Sequence, residues 1–229
     1  MPTRIEFDPA NIVVNSLTAT LHAPQVAQII ALFEKTAVEM SWQPRGQITA
    51  YPKSSVYFAF EEDGQIQGAV QLVRGGTSEG LPVLTVWPEL GAARDSLAVA
   101  RDSVAGHSLT GHNLAGRRDV ADVALVALRQ GFRGRRHLYW ALYAAMWRHC
   151  VRSGIAELWM EVPHEKLASY RGLGWPLLVE GPLRRHWDEP CFPCRVSVRG
   201  VGEAMIERAR RGGTFFKTVD EEYQAAGAT

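Results

Sequence analysis

The period of the apolar positions changes several times along the chain, and each change predicts an element. Ile12 to Leu21 (IVVNSLTATL) is rich in β-branched residues and predicts a strand. Pro24 follows, where a helix can begin because proline's missing N–H is harmless in a first turn. Val26, Ile29, Ile30, Phe33 and Ala37 then recur at helical spacing, predicting an amphipathic helix over 25–40. Ser55–Glu61 and Ile66–Val73 read as two apolar strands. Asp63-Gly64 between them is a strong hairpin-turn signal, since glycine and aspartate tolerate the left-handed backbone such a turn needs. The stretch 76–118 reads as loop, interrupted by a helix over about 90–100. Val120–Leu128 (VADVALVAL) is apolar almost throughout and predicts a buried strand. The helix after residue 136 carries Leu138, Leu142, Ala145, Met146 and Cys150 on one face, and Gly154 sits where a left-handed cap ends it. Ile155–Val162 predicts a strand, His164–Arg171 a short helix, Pro176–Gly181 and Phe192–Val198 two more strands, and Glu203–Arg211 a charged helix. Strand–helix–strand units imply a parallel pair and hairpins imply antiparallel neighbours. The predicted class is therefore α/β, a mixed twisted sheet flanked by helices.

Composition narrows the setting. The 229 residues suit one domain with a small appendage, drawn here as a domain over 1–200 and a helical tail over 201–229. A net charge of +1 gives no whole-chain field toward nucleic acid, and no apolar run is long enough for a membrane span. The first ten residues are polar and hold two prolines, unlike a secretory leader. Three cysteines (Cys150, Cys191, Cys194) make no disulfide framework, so a cytoplasmic setting is expected.

The candidate chemistry gathers after the central strand. Arg129, Arg133, Arg135 and Arg136 place four guanidiniums between a buried strand and a helix start, interleaved with Gly131 and Gly134. Backbone N–H groups at a helix N-terminus, with the helix dipole behind them, form a site for a pyrophosphate. A solvated charged loop is the alternative reading.

This order of elements, with Phe132-Arg133-Gly134-Arg135-Arg136-His137-Leu138 in the loop, resembles the GNAT (Gcn5-related N-acetyltransferase) superfamily and its Q/R-x-x-G-x-G/A donor signature. Arg133 matches the first position; Arg136 and Leu138 replace the later small residues, which leaves room for a donor lacking the nucleotide. Tyr170-Arg171-Gly172-Leu173-Gly174-Trp175 resembles the family's Y-x-x-x-G-F, whose tyrosine protonates the leaving thiolate. A packing residue is the alternative for Tyr170. The resemblance implies that Val126, Ala127, Leu128, Gln130, Phe132, Arg133, Gly134, Arg135 and Arg136 bind an acyl-CoA or acyl carrier protein thioester. A strand bulge there would let the N–H groups of Val126 or Leu128 hold the thioester oxygen.

Three flanking stretches resemble, more narrowly, the acyl-homoserine-lactone synthases and N-acyl amino acid synthases. They are Val56–Val73 with Thr85-Val86-Trp87-Pro88-Glu89-Leu90, then Asp122–Leu128 with Phe132-Arg133-Gly134, and Gly174-Trp175-Pro176-Leu177 with Glu180-Gly181-Pro182. Asp122 stands where those synthases carry a glutamate and is the candidate for amine activation, or else a structural aspartate bonding loop N–H groups. Ala124 and Leu125 replace their Ser-Arg pair, and of their early aromatic and arginine positions only Trp42 has a counterpart, which argues against S-adenosylmethionine as substrate. Glu161, at the end of the next strand, joins the candidates as an acid contacting substrate, with a solvated strand-end acid as the alternative. His164 is a candidate substrate contact or a helix cap.

The expected activity is N-acyl transfer of a medium or long fatty acyl group to the amine of an amino acid or peptide, with acyl carrier protein as a partner. Acetyl-CoA-dependent acetyl transfer and a non-catalytic carrier- or peptide-binding protein are the competing readings. Cys191-x-x-Cys194 has no second pair to complete a zinc site, so no metal is expected. His107 and His112 read as solvated. Tyr139, Trp140, Tyr143 and Trp147 along one helix suit either core or an acyl tunnel. Arg117, Arg118, Arg184 and Arg185 suit docking of an acidic carrier protein better than nucleic acid.

Overall fold

The computed structural model describes residues 13–42, 47–92 and 113–210. The described residues form an eight-stranded sheet: β1 (Val14–Leu17), β2 (Ser55–Glu62), β3 (Gln65–Arg74), β4 (Val120–Leu128), β5 (Glu157–Pro163), β6 (Leu178–Val179), β7 (Arg184–His186) and β8 (Glu189–Ser197). The spatial order is β1-β2-β3-β4-β5-β8-β6, with β7 also on β8. The helices are α1 (Ala23–Glu39), α2 (Val83–Val86), α3 (Arg136–Arg152), α4 (Leu167–Gly172) and α5 (Val198–Arg210). The mixed α/β sheet with flanking helices is the predicted class, and β4 has the predicted bounds. Asp63 (φ 52°) and Gly64 (φ 73°) form the left-handed two-residue turn that their types favour.

Three expectations change. Pro176–Gly181 shrinks to the two residues of β6, and β7, a strand too short and too charged to show apolar alternation, forms a hairpin with β8. The charged helix starts at Val198 rather than Glu203, so position 200 falls inside it; Val198, Val201 and Met205 pack in the main core. Within loop 76–118, α2 and a 3-10 turn at Pro88–Gly91 form; most of the helix expected over 90–100, with His107 and His112, lies outside the described residues. Among the described residues no helix is long and apolar enough to cross a membrane.

Three cores, one on the α3 face of the sheet and two on the other, fix the layers. Alternate residues Phe58, Phe60, Leu72, Ala121, Val123, Leu158, Met160, Cys194 and Val196 pack with α3 and α5. The opposite alternation places Tyr57, Ala59, Ala69, Leu125 and Ala127 against α1, while Val120, Trp159 and Cys191 meet α2 and its neighbours. The period-2 alternation of a strand makes each of these assignments. In β4 the alternation breaks. Gln71 pairs with Leu125 but the adjacent Leu72 pairs with Val123, so Ala124 is an extra residue, a β-bulge. Before the bulge the even positions face α2; after it the odd positions face α1.

Candidate active site

β4 and β5 are the one parallel pair in the sheet, and they stay paired over three positions: Val120 with Glu157, Ala121 with Leu158, Asp122 with Trp159. Beyond these, β4 follows β3 and β5 follows β8, so the two strands diverge. The bulge at Ala124 accounts for the divergence, because it bends the strand that carries it. The wedge opens into a cavity of about 760 Å³ lined by all six residues Val123–Leu128 of β4 and by Met160, Glu161 and Pro163 of β5. That size is ordinary for a small-ligand site.

The residues that line the cavity come from both faces of the sheet. On the α3 face stand Tyr139, Trp140 and Tyr143 of α3, Tyr170 of α4, Trp175 in the segment after α4, and Arg208 of α5. On the α1 face stand Thr36 and Met40, Trp42, and the hairpin residues His186, Trp187 and Glu189. Glu161 lies on this second face, since Leu158, Met160 and Val162 point the other way.

Tyr170 is held from two sides. Its hydroxyl lies 3.5 Å from that of Tyr143, and its ring centroid lies 5.9 Å from that of Trp175, which also meets the Tyr143 ring edge-on at 5.0 Å. Burial, the largest influence, raises the pKa of both phenols, so each hydroxyl holds its proton at neutral pH. The Nε1 of Trp175 is buried with no hydrogen-bond partner among the described residues.

The acids divide differently from the expectation. Asp122 is fully buried and does not line the cavity; its Oδ2 accepts the Val83 N–H at 2.8 Å and so anchors the start of α2. Its Oδ1 has no partner among the described residues. Burial pushes its pKa up to about 7 against the smaller opposing influence of that hydrogen bond. Glu161 lines the cavity, with a buried Oε1 that has no partner among the described residues. Burial first, and the charge of Asp122 second, raise its pKa well above the carboxylate range. Two desolvated carboxyls that feel each other cannot both ionise easily, so the pair retains a proton near neutrality. Buried Tyr51 stands in the same field, its pKa raised to about 12 by burial and then by Asp122, Glu161 and Glu79.

Of the donor-loop candidates, Val126, Ala127, Leu128 and Arg133 line the cavity. Arg133 is already engaged, donating through Nε to the Leu128 carbonyl at 3.1 Å and pairing with Glu39 at the end of α1. Gln130, Gly131 and Arg133 border a smaller cavity of about 190 Å³ against α1. Phe132 packs edge-on to Phe60 with the Arg135 guanidinium 4.9 Å from its ring centre, Gly134 turns the chain at φ 83°, and Arg136 opens α3. His164 is exposed, lies against Phe192 with ring centroids 5.8 Å apart, and does not line the cavity. Cys191 and Cys194 sit in different cores on opposite faces of β8, and burial raises both thiols to about 12. Arg117 is bound by Asp119 and Glu157, and Arg184 by Glu89 and the Val86 carbonyl.

Trp42 lines the cavity, and its surroundings were not legible in the sequence. Its Nε1 donates to Glu189 Oε1 at 2.7 Å, and its ring stands 5.5 Å from that of Trp187 at 55°. His186 stacks on Trp187 at 5.1 Å, and burial lowers its pKa to about 4, leaving it neutral. The signal for these three residues is faint: Trp187 (φ 50°) and Asp188 (φ 66°) make the left-handed turn of the β7–β8 hairpin without the Asn or Gly that would mark it.

No family model matches the chain, and no curated protein matches it in sequence. Solved structures do match. The CoA-dependent acyl-homoserine lactone synthase BjaI, solved with SAM and isopentyl-CoA, aligns at 13% identity over 86% of this chain and 89% of its own, with a TM-score of 0.59. The AHL synthase LasI aligns at 15% identity over 82% and 90%, with a TM-score of 0.60. FeeM, an N-acyl amino acid synthase from uncultured soil microbes, aligns at 14% identity over 84% and 94%, with a TM-score of 0.58. A bulged β4 that parts from β5, a helix after the arginine loop, and these superpositions together establish that the chain has the GNAT fold and is structurally similar to acyl-homoserine-lactone synthases and to an N-acyl amino acid synthase.

Proposed function

We propose that the protein is an N-acyltransferase moving a medium or long fatty acyl group from an acyl carrier protein or CoA thioester to an amine, that of an amino acid or peptide in the first instance. The observation that carries this reading is the cavity through the β4–β5 wedge, which puts a protonated phenol, Tyr170, on one face and a carboxyl with raised pKa, Glu161, on the other. A protein that only bound its ligand would need no acid and base at opposite ends of one passage.

The donor enters from the α3 face, where the arginine loop meets the N-terminus of α3 and the N-cap residue, Arg135, makes no side-chain capping bond among the described residues. The wall of Tyr139, Trp140, Tyr143 and Trp175 with the aliphatic Leu173 suits an acyl chain. The amine arrives from the α1 face and gives a proton to the Glu161–Asp122 pair. Its nitrogen attacks the thioester carbon, forming the C–N bond. The tetrahedral oxyanion is held by N–H groups on the edge of β4 beyond the bulge, at Val126 or Leu128. The C–S bond then breaks, and the leaving thiolate takes the Tyr170 proton. The surplus proton on the amide nitrogen passes through solvent to restore the phenol, and the Glu161–Asp122 pair releases its proton to solvent. Asp122 acts here through Glu161 and Val83, not by touching substrate. The engagement of Arg133 by Glu39 supports a donor that makes light use of the nucleotide, as an acyl carrier protein does.

The test is thiol release by the purified protein from acetyl-CoA, a long-chain acyl-CoA and the matching acyl carrier protein, with pooled amines as acceptors. Release with the long-chain donors and an amide product by mass supports the reading. Release from acetyl-CoA alone makes it an acetyltransferase, and no release with any pair overturns it.

A further inference from the structure

Glu161 and Glu189 share one face of the sheet. In the antiparallel β5–β8 pair Glu161 lies opposite Pro193, and Glu189 precedes Pro193 by four positions, an even number, on the same strand. At the ordinary strand rise, their backbone positions are about 13 Å apart along β8. Both line the main cavity. The Glu161 Oε1 is buried without a partner among the described residues. Between α1 and the hairpin, the Trp42 and Trp187 rings form a corner at 55° with the Glu189 carboxylate at its edge, bound to the Trp42 Nε1. Two indole faces and a carboxylate attract a cation, since the ring faces are negative. Neutral His186 backs Trp187 and adds no opposing charge. The lining cations Lys166 and Arg208 belong to the start of α4 and to α5, and Arg133 is bound by Glu39.

We propose that the acceptor is a polyamine, whose distal ammonium sits in the Trp42–Trp187–Glu189 corner while its reacting amine reaches Glu161. This rests on the acyltransferase reading and replaces its amino acid or peptide acceptor with a polyamine. An amino acid would place its carboxylate on a wall that already carries Glu161 and Glu189. The spacing suits a triamine better than a short diamine. The turn at Trp187-Asp188 agrees with the assignment: a tryptophan at φ 50° is an unfavourable choice unless its ring is needed where the turn puts it.

The experiment uses the full chain with a long-chain acyl-CoA, comparing spermidine, putrescine, butylamine and glycine as acceptors, alongside calorimetric binding of spermidine without donor. The expected result is a kcat/KM for spermidine at least tenfold above that for butylamine or glycine. Glu189→Gln retains an oxygen for the Trp42 N–H, and is expected to raise the spermidine KM and Kd by about tenfold and pull the spermidine-to-butylamine ratio toward one. Trp187→Ala should move the same readouts in the same direction. Spermidine binding that Glu189→Gln weakens, with no acyl transfer to any amine, would keep the polyamine site and discard the transferase reading. Transfer to butylamine or glycine as efficient as to spermidine, unaltered by Glu189→Gln, would discard the polyamine site and keep the transferase.

Discussion

Tyr170→Phe deletes a single oxygen from the α3 face of the passage. The loss of packing is small, because the ring keeps its place 5.9 Å from Trp175. Its polar contact is a 3.5 Å approach to the Tyr143 hydroxyl, at the outer limit of a hydrogen bond, so stability should fall by no more than about 1 kcal/mol. The chemical loss is larger. Without an acid the thiolate must leave unprotonated, and a positioned general acid contributes roughly 10²–10⁴ in rate, or about 3–5 kcal/mol of barrier. The lower end is expected here, since the neighbouring Tyr143 hydroxyl can substitute in part. The assay is continuous thiol release at saturating acceptor, with donor KM measured in parallel. Turnover should fall about 100-fold while donor KM changes little. A thiophenyl ester of the same acyl group should narrow the deficit, because its thiolate needs no proton to depart. Turnover within twofold of the parent, or an equal deficit with both leaving groups, would refute the role of Tyr170.

Asp122→Asn keeps an oxygen for the Val83 N–H but removes the charge that helps raise Glu161, so the acidic limb of the pH–rate profile should move to lower pH. The folded-state pKa of Asp122 is raised from 3.8 to about 7, so its contribution to stability is fully present below the lower value and is lost as pH rises through the upper. The melting temperature of Asp122→Asn relative to the parent should accordingly rise between pH 4 and pH 7, and a flat difference would contradict the burial of a titrating acid. Gly202→Val should destabilise the protein by about 1–3 kcal/mol in denaturant titration, because a Cβ at Gly202 meets the Trp147 indole at 2.8 Å and that ring is pinned by its 2.9 Å bond to the Val198 carbonyl; an unchanged midpoint would mean that α5 does not dock there. Replacing the hairpin turn by Trp187→Asn with Asp188→Gly should raise the melting temperature, since those types favour two left-handed residues, while reducing amine use.

Local chemistry makes much of the fold legible in the sequence. The run 120–128 forms a buried strand because eight of its nine residues are apolar, and Asp63-Gly64 forms its turn because both residues tolerate positive φ. Gly154 closes α3 at φ 68° for the same reason. The charged sequence around Arg184–Glu189 hid a hairpin whose turn uses the residue types least expected there, and so hid half the lining of the α1 face. The two acids were legible as acids but not as partners. Asp122 and Glu161 lie far apart in sequence, and the pairing of Asp122 with Trp159, together with the bulge at Ala124, decided which of them meets the cavity. Likewise four arginines in one loop look alike along the chain, yet Glu39, at the far end of α1, engages Arg133 while Arg135 lies over Phe132. Sequence by itself determined the main strands and helices, because capping, periodicity and turn chemistry act over a few residues. Only the tertiary structure decided burial, pairing and proton affinity at the candidate site, because those depend on which distant side chains share a low-dielectric space.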